Sequence, residues 1–158
     1  MRAIVSASAL WLAACGSPTM PAAADPFTPA PGAHTGPVGI EYISANVAPG
    51  STIAGCGPAI PGCAGRLQLT FRLHSIVEGP VLRAAATLHG ANKAACLSAS
   101  SLPFALPPNA TVQITLVFDQ TNPSCGLPFE ASDMGVNVEG PVQVASRQEF
   151  RIAYRFMP

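Results

Sequence analysis

The stretch from Arg66 to His74 constrains this chain more than any other: Leu67, Leu69, Phe71 and Leu73 alternate with Gln68, Thr70 and Arg72. A strict period of two puts all four apolar side chains on one face of an extended strand, so a second apolar layer must cover them. The same alternation returns at Val112, Ile114, Leu116 and Phe118, and again at Phe150, Ile152, Tyr154 and Phe156. Between these runs the chain is punctuated rather than helical. It has 17 prolines and 14 glycines among 158 residues, a composition that favours turns between short strands.

Weaker segments complete the set. Val38, Ile40 and Tyr42 alternate, then Ile43, Ala45 and Val47 alternate in the opposite phase, which predicts a bulge or a change of sheet at Tyr42-Ile43. Leu82, Ala84, Ala86 and Leu88 fit a strand, while Val81, Ala84, Ala85 and Leu88 fit a helical stripe. The strand is preferred because the segment directly follows a strong strand through Glu78-Gly79. Cys96 opens a candidate edge strand that runs to about Phe104, and Met134, Val136 and Val138 mark another strand. About seven strands separated by turns predict an all-β, two-layer antiparallel sandwich over 38–158. The alternative is an α+β fold with one short helix near 81–90.

Charge narrows the partners. The formal net charge is zero and only 10% of residues are charged, so no basic field exists to hold nucleic acid. Catalysis requires a nucleophile beside a base, a carboxylate pair or a metal cluster. Beyond residue 37 the chain offers two histidines, His74 and His89, few acids and no His-Glu-x-x-His or Gly-x-Ser-x-Gly string. In a hairpin turning at Glu78-Gly79, His74 would face Arg83 and His89 would face Gln68, too far apart to share a metal. The expectation is a non-enzyme with no catalytic residues, no metal and no cofactor.

The N-terminal residues give an address. Met1-Arg2 precedes an apolar run, Ala3 to Ala14, that is too short to span a bilayer and reads as an export signal. Its end, Leu12-Ala13-Ala14-Cys15, resembles the lipobox of bacterial lipoproteins. That resemblance implies cleavage before Cys15, a diacylglycerol thioether on its thiol and an acylated amino terminus, which makes the membrane a partner through lipid. Gly16 in the next place implies the outer membrane. The alternative is a soluble secreted form cut after Ala22-Ala23-Ala24. From Cys15 to Pro37 prolines stand among small residues, which predicts a semi-rigid tether with His34 solvated on it.

Four further cysteines in an exported chain read first as two disulfides, because a four-cysteine zinc site favours close pairs. Three pairings are open. Cys56 to Cys63 is preferred for one bridge, closing a loop whose halves mirror each other around Pro58-Ala59-Ile60-Pro61. The strand pattern resembles immunoglobulin-like and fibronectin type III-like domains of bacterial surface proteins, without the core tryptophan and central cysteine pair of true immunoglobulins. If the strands run up and down in that order, the cysteine loops gather at one pole. Both Glu-Gly-Pro turns and the tether then fall at the other, which favours Cys96 to Cys125 as the second bridge. The expected role is a lipid-anchored binding or structural module whose partner is an unknown envelope protein or glycan. Its contact surface would be the disulfide pole, with Ile53, Pro58, Ala59, Ile60 and Pro61 presented away from the membrane; the alternative is that this loop folds back over an open sandwich edge and its isoleucines plug the core. The alternative role is inhibition of an exported hydrolase by the stiff Cys56 to Cys63 loop.

Overall fold

Two antiparallel sheets face each other across one apolar layer, and the alternating segments supply that layer from both sides. The computed structural model describes residues 29–54, 66–119 and 123–158. The strands are β1 (Ala30–Thr35), β2 (Gly39–Ala45), β3 (Thr52–Ala54), β4 (Arg66–His74), β5 (Gly79–His89), β6 (Ala95–Ser100), β7 (Phe104–Leu106), β8 (Thr111–Asp119), β9 (Phe129–Glu139) and β10 (Ser146–Met157). The small sheet has the order β2-β4-β8 and the large one β1-β10-β9-β5-β6, with β3 on β10 and β7 on β5. This all-β sandwich is compatible with an immunoglobulin-like domain, and residues 81–89 are strand, not helix.

Leu67, Leu69, Phe71 and Leu73 of β4 are fully buried in one apolar cluster with Leu82, Ala84, Ala86 and Leu88 of β5 and the inward residues of β9 and β10. Phe71 reaches across the layers to Phe150, ring centroids 5.7 Å apart. The expected bulge is present: pairing of β2 with β4 slips between Tyr42 and Ser44, leaving Ile43 as the extra residue.

The connection after His74 corrects the expected hairpin. β4 pairs with β2 and β8, whereas β5 pairs with β9, β6 and β7, so the chain crosses from one sheet to the other. His74 stands opposite Gly39 and Thr111, Arg83 opposite Glu139, and His89 opposite Asp133 and Ala95. The physical reason is burial: with both apolar faces turned to one core, an arch satisfies them where a hairpin in one sheet would not. Ser75 is buried at the arch, where its hydroxyl accepts the Val77 N–H at 3.0 Å and its carbonyl accepts the Asn109 N–H at 2.8 Å.

The expected tether to Pro37 is also corrected. Residues 30–35 form an edge strand paired antiparallel with β10, Ala30 opposite Arg151 and Thr35 opposite Arg147. Pro31 is tolerated because the strand is at an edge. The Gln148 side-chain amide holds the irregular part of β1, donating to the carbonyls of Gly32 at 3.0 Å and Ala33 at 3.3 Å. Gly36, with φ of +89°, then turns the chain where a Cβ would overlap the Ala145 carbonyl and the Ser146 hydroxyl. β1 therefore joins the sheet at the level of Arg151 and runs toward the pole of the Glu-Gly-Pro turns. The basis for pointing the disulfide pole away from a membrane is removed. The two Glu-Gly-Pro strings do share a pole, with Gly79 and Gly140 both packed against the Leu82 side chain.

Between β2 and β3 the chain crosses to the large sheet, and a buried tyrosine secures the crossing. The Tyr154 hydroxyl donates to the Val47 carbonyl at 3.2 Å and lies beside the Tyr42 phenol. Burial above all, with Tyr42 adding, raises the Tyr154 hydroxyl well above its ordinary value. Tyr154→Phe leaves the Val47 carbonyl and the Tyr42 hydroxyl short of a partner, at a cost of about 1–2 kcal/mol. Thermal melts of wild type and variant check this, and an unchanged midpoint would remove the crossing from the stabilising contacts.

Candidate functional site

The ends of several strands converge at one pole. Asn46 donates through Nδ2 to the Arg66 carbonyl at 2.9 Å, which brings the start of β4 beside the crossing to β3. β3 then pairs parallel with the end of β10, Ile53 opposite Phe156 and Ala54 opposite Met157. Arg66 and Asp119 are cross-strand partners, Nη2 to Oδ2 3.5 Å. Ala54, Arg66, Asp119 and Met157 thus mark one end of the sandwich.

At this end Cys96 of β6 is bonded to Cys125 in the connection between β8 and β9, Cα atoms 4.8 Å apart. The Ser124 N–H donates to the Cys96 carbonyl at 2.9 Å, so the connection is fastened to β6 twice. Gly90 leaves room for the sulfur, since a Cβ there would stand 2.9 Å from the Cys96 Sγ.

Beside the disulfide opens a cleft of about 880 Å³, lined by Gly90, Ala91, Ala94, Ala95, the two cysteines, Ser124, Pro128, Phe129, Glu130, Arg155 and Met157. The size suits a small ligand or a partner's side chains. Phe129 lines the cleft, and behind Phe129 its cross-strand partner Phe156, fully buried in the core, stacks with a parallel ring, centroids 4.5 Å apart. At its rim the next pair along, Glu130 and Arg155, is joined by a 2.8 Å bond from Arg155 Nε to Glu130 Oε1. Both of these side chains are exposed, so the pair adds little to stability and is free to meet a partner. The cleft thus combines an apolar wall, backbone groups of small residues and one ion pair.

The residues expected at this surface divide. Ile53 belongs to the core at 4% exposure, because β3 closes over the end of the sandwich and its isoleucine plugs the layer. Pro58, Ala59, Ile60, Pro61, Cys56 and Cys63 lie outside the described residues, as does Cys15. The flanks of that loop, Ala54 and Arg66, are both at the disulfide pole. His74 and His89 stand on different sheets and not in this cleft. Phe129, Glu130, Arg155 and Met157 escaped sequence reasoning. The alternation of the last strand turns Phe156 inward and Arg155 outward, but nothing in the sequence extends a strand back to Phe129, and the convergence depends on β9–β10 register.

Comparison with protein-family models, curated proteins and solved structures finds no match for this chain.

Proposed function

We propose that the chain is a non-catalytic β-sandwich module of the bacterial cell envelope, lipid-anchored through Cys15, that offers the cleft at its disulfide pole to an envelope protein or glycan. The observation that carries this reading is the cleft itself, a concave surface lined by Phe129 and small residues, with an exposed Glu130–Arg155 pair at its rim. The Cys96–Cys125 bridge supports export, since structural disulfides persist in oxidising compartments and are rare in the cytosol. The order β2-β4-β8 against β6-β5-β9-β10 supports grouping it with the immunoglobulin-like and fibronectin type III-like modules of bacterial surfaces. Inhibition of an exported hydrolase is the second reading, favoured by the position of Ala54 and Arg66, the described residues on either side of 55–65, at the same pole.

Site-specific photo-crosslinking in the native envelope tests the proposal. A benzophenone side chain at Ser124, on the cleft, gives a discrete adduct. The same group at Val142, 92% exposed at the far pole, gives none. Ala94→Trp, which fills the cleft, abolishes the Ser124 adduct. Equal adducts from both positions, or a Ser124 adduct that survives Ala94→Trp, contradict the reading. An adduct with a hydrolase whose activity the purified domain suppresses favours the inhibitor.

A further inference from the structure

On the other side of the β5–β6 turn lies a second cleft, of about 290 Å³, on the outer face of the large sheet. Its chemistry is unlike the first. His89, Asp133 and Arg151 stand side by side across β5, β9 and β10, as register partners on one face. Lys93 reaches the same cleft from the turn, and Arg147 and Glu149 from β10. Arg147 binds Glu149, Nη2 to Oε1 3.3 Å, and lies over Gly135, where a Cβ would stand 2.9 Å from that nitrogen. A glycine inside a strand often marks such a close approach. Among the described residues neither Lys93 nor Arg151 pairs with a carboxylate.

The turn supplies an independent observation. Asn92 and Lys93 both have φ of +57°, and the Ala94 N–H donates to the Ala91 carbonyl at 3.3 Å. Two successive left-handed residues make the mirror-image turn that suits a hairpin, for which Asn-Gly is the favoured sequence. Asn92 conforms. Lys93 occupies the place that favours glycine, where a Cβ is costly. The chain holds a lysine against its backbone preference at the rim of a charged cleft.

We infer that this cleft, framed by Lys93 and Arg151, binds a sugar acid, a ligand with one carboxylate and several hydroxyls. The two unpaired cations take the carboxylate. Asp133 and Glu149 would repel a bare anion but accept hydrogen bonds from hydroxyls, so the lining fits a ligand that donates as well as one that is charged. The cleft is at the lower end of small-ligand sites, which suits a monosaccharide unit. The inference stands apart from the lipid anchor and from the cleft at the disulfide pole.

Calorimetric titration of the purified domain with glucuronate tests it, with glucose and inorganic phosphate as controls. Glucuronate binds and glucose at the same concentration does not. Lys93→Gly weakens glucuronate at least ten-fold while the melting temperature holds or rises by roughly 2–4 °C, because the turn becomes Asn-Gly. Arg151→Gln weakens it similarly without changing the fold. Glucuronate binding that survives Lys93→Gly overturns the inference. So does a lowered melting temperature in that variant, which would make Lys93 a structural residue. Phosphate binding as tightly as glucuronate shows a general anion patch and overturns it too.

Discussion

Replacing Cys96 and Cys125 together by alanine lowers the melting temperature by roughly 10–20 °C. The bridge joins positions 29 apart in sequence. Closing a loop of that size stabilises by about 3.6 kcal/mol on the chain-entropy estimate. In a domain of this size each kcal/mol moves the midpoint by about 4 °C. Cys96 is also buried, so its truncation removes packing beside Gly90. Reduction of the wild-type protein separates the two contributions, since it opens the loop and leaves the side chains. A reduced wild type that melts near the double variant assigns the effect to loop closure. An unchanged midpoint on reduction contradicts the role given to the bridge.

That bridge also fastens the wall of the cleft. The connection carrying Ser124 and Cys125 is tied to β6 by the disulfide and by one backbone hydrogen bond. Once the bridge opens, the Ser124 crosslink proposed above loses its fixed geometry. Stability and recognition at this pole are therefore linked through the same residues.

Period-two alternation makes β4, β8 and β10 legible in the sequence, because β4 and β10 bury one complete face and β8 buries all of its face but Val112, which is half-buried. The bulge in β2 was legible for the same reason, as a phase slip in that alternation. The three strands outside the expected seven escaped notice on physical grounds. β3 and β7 have three residues each, too few to show a period. β1 is exposed throughout and contains Pro31, so its hold on β10 comes from backbone bonds and from Gln148, which no pattern of hydrophobicity reveals. A Gly-Pro turn between two strands looks alike whether the strands share a sheet or face each other, so the sequence predicts a hairpin where the structure has an arch after His74.

The sites were less legible than the fold. Cys96 and Cys125 were paired from topology, and the structure has that bridge. Ile53 lies in a segment with little core of its own and reads equally as contact surface or as a plug over the sandwich edge; β3 makes it the plug. The row of His89, Asp133 and Arg151 needs the register of three strands distant in sequence. The αL backbone of Lys93 gives no sequence signal, since the residue that would have advertised the turn is a glycine the chain lacks.

Fractionation of cells expressing Cys15→Ala, with the intact mass of the mature protein, tests the proposed lipid anchor most directly. A lipid on one cysteine is the only membrane attachment in the account, and its buried methylenes supply the affinity. The account predicts that wild-type protein sediments with membranes and begins at Cys15 with a mass increased by the diacylglycerol and acyl groups. Cys15→Ala is lost from that fraction and is either unprocessed or released. A variant that stays in the membrane fraction at the wild-type level, or a wild-type protein cut after Ala24 with no lipid mass, would contradict it.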